Sequence, residues 1–207
     1  MEQIQKDLNK FYKTDSHAEK ESLTLSINNN VREYIKYIAP QKSKEIDAMP
    51  VPNDKFFLWH TYFSDVFNRK GKEGFDIVIG NPPYLLCQPS NTDENLLDFY
   101  KTNYKVASYK IDLFHLFFEE GIYLLKKNGI LAYITPNTYL TNKYILPLRK
   151  HILDECDVLR LVLHDKVFES AQVDNATIVL KKSKETSHSV VVEKCENFVF
   201  KFYQSVK

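Results

Sequence analysis

The 207 residues are 43% apolar and 27% charged, enough for one domain with a real core and ordinary for a soluble globular chain. A net charge of +1 excludes a global field that draws in nucleic acid, so a phosphate-binding surface must be local or lie elsewhere. With no signal peptide, no apolar run near the ~20 residues of a membrane span, and three scattered cysteines (Cys87, Cys156, Cys195), the chain is expected in a reducing cytoplasm, without membrane, disulfide framework or metal site.

Residues 1–50 are polar and lysine-rich and are expected to form a helical arm or spacer. The pattern predicts helices over Glu2–Tyr12 and from Ala18 to about Ile38, the second with a packing stripe of Leu23, Ile27, Val31, Tyr34 and Ile38. Ile38-Ala39-Pro40 ends that helix, and Met49-Pro50-Val51-Pro52 reads as an extended linker into a second domain, 51–207. Phe56 to Phe63 is dense in aromatics and reads as a buried strand or a docking segment. Asp65-Val66-Phe67-Asn68 and a polar glycine loop at 69–74 follow.

The next stretch, Gly74-Phe75-Asp76-Ile77-Val78-Ile79-Gly80-Asn81-Pro82-Pro83-Tyr84, organises the rest. An apolar run of strand type ends at a glycine, and two prolines cannot continue a central strand, because each lacks the N–H and fixes φ. Asn81 is therefore expected in a stiff loop just past the strand's carboxyl end, where open α/β sheets bind ligands. As plain turn formers, Asn and Pro also permit a reading with no chemistry.

A strand followed by Asn-Pro-Pro-Tyr resembles motif IV of amino-group methyltransferases that use S-adenosylmethionine. The aromatic lead-in ending in Asp-Val-Phe-Asn narrows the likeness to the adenine-methylase portion of type IIG restriction–modification enzymes. The resemblance implies a site-specific DNA adenine-N6 methyltransferase. An exocyclic adenine nitrogen is a poor nucleophile, its lone pair delocalised into the ring. The Asn81 side-chain oxygen and the Pro82 carbonyl would each accept one N–H of that amine, localise the lone pair and offset the charge that develops as the methyl arrives. Pro82 and Pro83 hold the acceptors in place beforehand. The Tyr84 ring would stack on the base, worth roughly 1–3 kcal/mol.

Residues 85–108 are polar and irregular, suited either to a lid over the base pocket or to a surface loop with short helices. Lys101, Lys105 and Lys110 are candidate phosphate contacts. Tyr109 to Lys127 is the best-patterned helix, with Ile111, Phe114, Phe118, Ile122 and Leu125 at spacings of three and four, closed by Asn128-Gly129. Gly129 to Thr135 is then a strand parallel to the first. By resemblance the helix start is motif V, so Asp112, Leu113 and Phe114 face the cofactor or base pocket; by pattern alone, Leu113 and Phe114 are core and Asp112 a helix N-terminal charge. Leu140 to Leu153 reads as a helix that Pro147 either kinks or restarts. Strands are expected at Val158–Leu163 and Asn175–Leu180. The loop between them resembles motif VIII, placing Phe168 on the base's second face, where it would offset part of the few kcal/mol of unstacking, or else as a loop anchor. Ser189–Lys194 and Asn197–Phe202 read as an antiparallel hairpin.

The fold class expected is thus α/β: the second half of a Rossmann-like methyltransferase sheet, parallel strands with a terminal antiparallel hairpin, plus a helical arm. None of the five glycines forms a G-x-G, so the main S-adenosylmethionine loop is expected outside this chain. The chain alone is then expected to be incomplete and inactive, to work on double-stranded DNA through the complete enzyme, and to pair its open sheet edge with the missing half or with itself. Methylation of an RNA base or a protein glutamine, and a non-catalytic scaffold, are the competing readings.

Overall fold

The computed structural model describes residues 2–48, 57–165, 174–184, 189–196 and 199–206. The expected Met49–Pro52 linker, and with it the boundary at residue 50, lies outside the described residues. Contacts divide the chain into two units, Met1–Lys70 and Gly71–Lys207.

In the first unit, α1 (Glu2–Phe11) and α2 (His17–Ile38) pack along one apolar seam. Ser16 starts α2 by accepting the Glu19 N–H, supplying one of the bonds a helix start lacks. Ile4, Leu8, Ile27 and Val31 are buried together, with Phe11, Ile35, Leu58 and Tyr62 against them. Ile35 packs where the sequence pattern put Ile38, which is exposed. A short α3 (Ser43–Asp47) is held by Arg32, which donates to the Ile46 carbonyl at 2.6 Å. The aromatic segment is no strand: it forms α4 (Trp59–Tyr62) and α5 (Ser64–Phe67), with the Phe57 and Tyr62 rings stacked at 4.5 Å.

The second unit is a six-stranded mixed sheet. Its strands are β1 (Phe75–Gly80), β2 (Leu125–Pro136), β3 (Asp157–His164), β4 (Asn175–Lys181), β5 (Val190–Glu196) and β6 (Val199–Val206), in the order β1-β2-β4-β3-β5-β6. β1 and β2 are parallel, as the strand–helix–strand pattern predicts. β5 and β6 form the expected antiparallel hairpin. β4 departs from the expected parallel set: it runs antiparallel between β2 and β3. The chain from β3 to β4 is too short for a helical crossover, so β4 must return antiparallel to β3.

α6 (Glu94–Asn103) forms within the expected irregular stretch, capped by Asp93. α7 (Leu113–Leu124) carries the core: Phe114, Phe118 and Ile122 are buried against Leu131, Tyr133 and Leu180, each worth roughly 1.5–3 kcal/mol. The helix is shorter than its apolar pattern at both ends. Lys110 has φ +53°, outside the helical region, and β2 begins at Leu125. Lys182 donates to the carbonyls of Tyr123 and Leu125, at 3.1 and 2.7 Å, so a cation from just beyond β4 sits at this helix end. Gly121 lets α7 approach β2, since a Cβ there would lie 2.4 Å from the Tyr133 hydroxyl oxygen. Pro147 stands in the first turn of α8 (Leu146–Glu155), so it starts that helix and does not kink it.

β1 is an edge strand, and among the described residues only one of its faces is covered. Val78 packs into the core, while Ile77 and Ile79 are 64% and 79% exposed. Its apolar run therefore reports a strand with one uncovered face, not one buried on both. Among the described residues no helix is long and apolar enough to cross a membrane.

Candidate functional site

The site lies at the carboxyl end of β1, beside the last residues of β2, which runs on to Pro136. Their register sets Gly80 level with Tyr133, and the chain leaves the sheet at Asn81. Pro82 is buried and anchors the turn, whereas Asn81 and Pro83 are exposed. No hydrogen bond engages the Asn81 carboxamide among the described residues, which leaves its oxygen open to a planar amine. Tyr84 is half-buried, and its hydroxyl donates to the Ile134 carbonyl at 3.2 Å, tying the loop to the neighbouring strand. Burial raises the Tyr84 phenol pKa, so it stays a neutral donor.

The loop continues into a short antiparallel contact with the residues ahead of α7. Leu86 bridges to Asp112, Cys87 N–H donates to the Ile111 carbonyl at 2.8 Å, and Leu113 N–H to the Leu85 carbonyl at 3.0 Å. The Asp112 carboxylate closes this junction. It accepts from Leu85 N–H at 3.0 Å and from Phe114 N–H at 3.4 Å, so one side chain caps α7 and holds the loop. Burial raises its pKa, and the N–H groups of Phe114, Leu85 and Leu113 oppose that rise.

His115 completes a capping box: its Nδ1 accepts from Asp112 N–H at 3.3 Å. An accepting Nδ1 requires the proton of the neutral ring to sit on Nε2. That N–H is buried and meets no partner among the described residues, and burial lowers the ring pKa to about 4. No periodic signal marks His115 as more than a core position; the box spacing from Asp112 is the only clue in the sequence.

Asp112, Phe114 and His115 share a recess of about 320 Å³ with Leu86, Thr138 and Asn142. Of the residues expected at a cofactor or base pocket, Asp112 and Phe114 line this recess, while Leu113 packs against the core. The recess lining is mostly apolar, with the Asp112 carboxylate among its few polar groups, which suits a flat apolar ring carrying a donor. Phe168 lies outside the described residues. On either side of it in the chain, His164 and Asn175 pair with each other, and Asn175 pairs with Pro136, at the end of the sheet where Asn81 emerges. All three cysteines are buried and unbridged.

A sheet carrying an exposed Asn on a proline-fixed turn at the end of its first strand is the arrangement that the resemblance to methyltransferases implies. The chain belongs to the Eco57I restriction-modification methylase family, whose model matches residues 5–168. It is 30% identical over 118 residues to the type II restriction enzyme and methyltransferase RM.Eco57I of Escherichia coli, covering 56% of this chain and 12% of that protein. It is 32% identical over 138 residues to the modification methylase CviBIII of Paramecium bursaria Chlorella virus NC1A, covering 66% of this chain and 31% of that one. Among solved structures, the type IIG restriction endonuclease BpuSI matches with a TM-score of 0.47 at 18% identity, over 58% of this chain and 15% of that one. The chain thus spans a minor part of the length of the curated relatives it matches.

Proposed function

We propose that this chain is the target-base side of a type IIG-like DNA adenine-N6 methyltransferase. The observation that carries the reading is Asn81: exposed, without a hydrogen bond among the described residues, and held by a buried Pro82 on one side and the Asp112–Leu85 clamp on the other. The Asn81 oxygen and the Pro82 carbonyl accept the two N–H bonds of a flipped adenine's amino group. They offset the positive charge of the transition state without a general base. Tyr84, pinned through its hydroxyl, stacks on the base, and Phe168 takes the opposite face.

S-adenosylmethionine is the cofactor of this reading, and when bound it supplies an electrophilic methyl on a sulfonium. The residues of this chain that line the recess and fit it are Asp112, whose carboxylate retains acceptor capacity, and Phe114. The remainder of the cofactor site belongs to a portion outside this chain. The β1 edge supports that division: it meets no further strand among the described residues, and Ile77 and Ile79 are uncovered.

The test is transfer of labelled methyl to duplex DNA by the chain reconstituted with the cofactor-binding portion of its own enzyme. N6-methyladenine is the expected product, and Asn81→Ala is expected to lower the rate by about 10²–10³. Labelling of RNA or of protein glutamine in place of adenine would overturn the reading. So would tight S-adenosylmethionine binding by the chain alone in calorimetry, as regards the division of the cofactor site.

A further inference from the structure

The recess beside the catalytic loop has a rim unlike its floor. Tyr109 and Tyr144, 58% and 52% exposed, face each other with ring centroids 5.0 Å apart. They come from two different segments, so their pairing is tertiary and not a run of local sequence. The Lys110 ammonium lies 5.6 Å from the centre of the Tyr109 ring, and Lys143 lies 5.1 Å from that of Tyr144. Neither lysine has a carboxylate partner among the described residues.

Hydrogen bonds hold both supports. Asn142 caps the short turn Lys143–Ile145 by accepting the Tyr144 N–H at 2.9 Å. Arg149 braces the same turn from α8, donating to the carbonyls of Tyr139 and Asn142 at 2.6 and 2.7 Å. On the other side, Lys110 is held at positive φ just before the Ile111–Cys87 and Leu113–Leu85 contacts that fix the catalytic loop. Exposed rings held rigidly lose little freedom on binding. Two ammoniums without carboxylate partners among the described residues, each lying over an exposed ring, match a polyanion that carries planar groups.

We propose that Tyr109, Lys110, Lys143 and Tyr144 form a platform for the DNA strand that presents the target base, stacking a flanking base and holding its phosphates. This rests on the methyltransferase reading and adds to it the surface that steers the strand, which a net charge of +1 cannot supply globally. Leu86 ties the platform to the site: it lines the recess two residues beyond Tyr84. Stacking and charge here act on the neighbouring nucleotides, leaving the Asn81 acceptors to the target amine.

Anisotropy of short fluorescein-labelled single-stranded and duplex oligonucleotides, titrated with the full chain at several salt concentrations, tests this. Tyr109→Ala with Tyr144→Ala is expected to weaken single-strand binding about 5- to 100-fold, and the two Phe replacements to restore it. Lys110→Gln with Lys143→Gln is expected to lower the slope of log K against log salt by about 1.4, from ~0.7 for each contact. Lys194→Gln with Tyr203→Ala, an aromatic–lysine pair at the opposite sheet edge, leaves both readouts unchanged. The platform is overturned if the chain binds neither oligonucleotide, if the rim variants bind like the unaltered chain, or if polyglutamate shows the same losses. Rim-dependent binding without methyl transfer would remove the functional reading alone; methyl transfer with rim-independent binding would remove the platform alone.

Discussion

The Asp112 carboxylate accepts the backbone N–H of Leu85 at 3.0 Å, one residue past the Asn-Pro-Pro-Tyr turn. The same oxygen receives the Phe114 N–H that opens α7. The helix that carries the core and the loop that bears the proposed acceptors therefore end on one side chain.

Asp112→Ala removes a cap and a loop anchor together. It is expected to cost about 1–2 kcal/mol in urea unfolding, with Asp112→Asn recovering most of that because an amide oxygen still accepts. Reconstituted methyl transfer should fall more than stability does, since the loop loses its brace while Asn81 remains. A variant with full activity would dissociate the clamp from the site.

His115 sets a pH dependence whose sign follows from burial. Its ring pKa is lowered from 6.5 to about 4, so between those values the unfolded chain binds a proton that the folded chain does not. Stability from this residue is fully present above pH 6.5 and is lost as pH falls toward 4, on the order of 3 kcal/mol in all. Its carbon-bound ring proton should show no titration shift from pH 8 to pH 5 in NMR. A midpoint near 6.5 would mean that the ring is hydrated and outside the capping box.

Gly74 and Gly71 both have positive φ, at +109° and +72°, yet differ in surroundings. A Cβ at Gly74 would lie 2.6 Å from the backbone nitrogen of Lys126, whereas Gly71 has open space. Gly74→Ala is expected to cost about 2–5 kcal/mol, strain plus overpacking, and Gly71→Ala only about 1–2. Chemical denaturation of the two variants reads the difference, and equal costs would contradict the packing of β1 on the start of β2.

Ile79→Lys changes a side chain that touches little. Monomer stability should move by no more than ~0.5 kcal/mol. Light scattering after size exclusion should show the unaltered chain self-associated and the lysine variant shifted toward monomer, because a charge on an open edge strand blocks pairing. A monomeric unaltered chain would count against an edge that needs a partner.

Local signals in the sequence were strong where neighbours along the chain decide the outcome. The Phe75–Gly80 run, the proline pair after Asn81, the three-and-four spacing from Ile111 to Leu125 and the final hairpin were all legible, since proline geometry, helical periodicity and strand alternation act over a few residues. The aromatic segment at Trp59–Phe63 misled, because apolar density alone does not distinguish a strand from a short helix.

What only the tertiary structure decided depends on residues far apart in the chain. The sequence by itself determined a proline-paired turn at the end of a strand. It did not determine that β4 would insert antiparallel between β2 and β3, that Ile77 and Ile79 would face outward, or that Tyr109 and Tyr144 would meet. Nor did it determine that Lys182 would close α7 or that His115 would complete Asp112's cap with an N–H left over. Sheet order, exposure and ring pairing follow from which distant surfaces exclude water from each other, and no window of local sequence contains both surfaces.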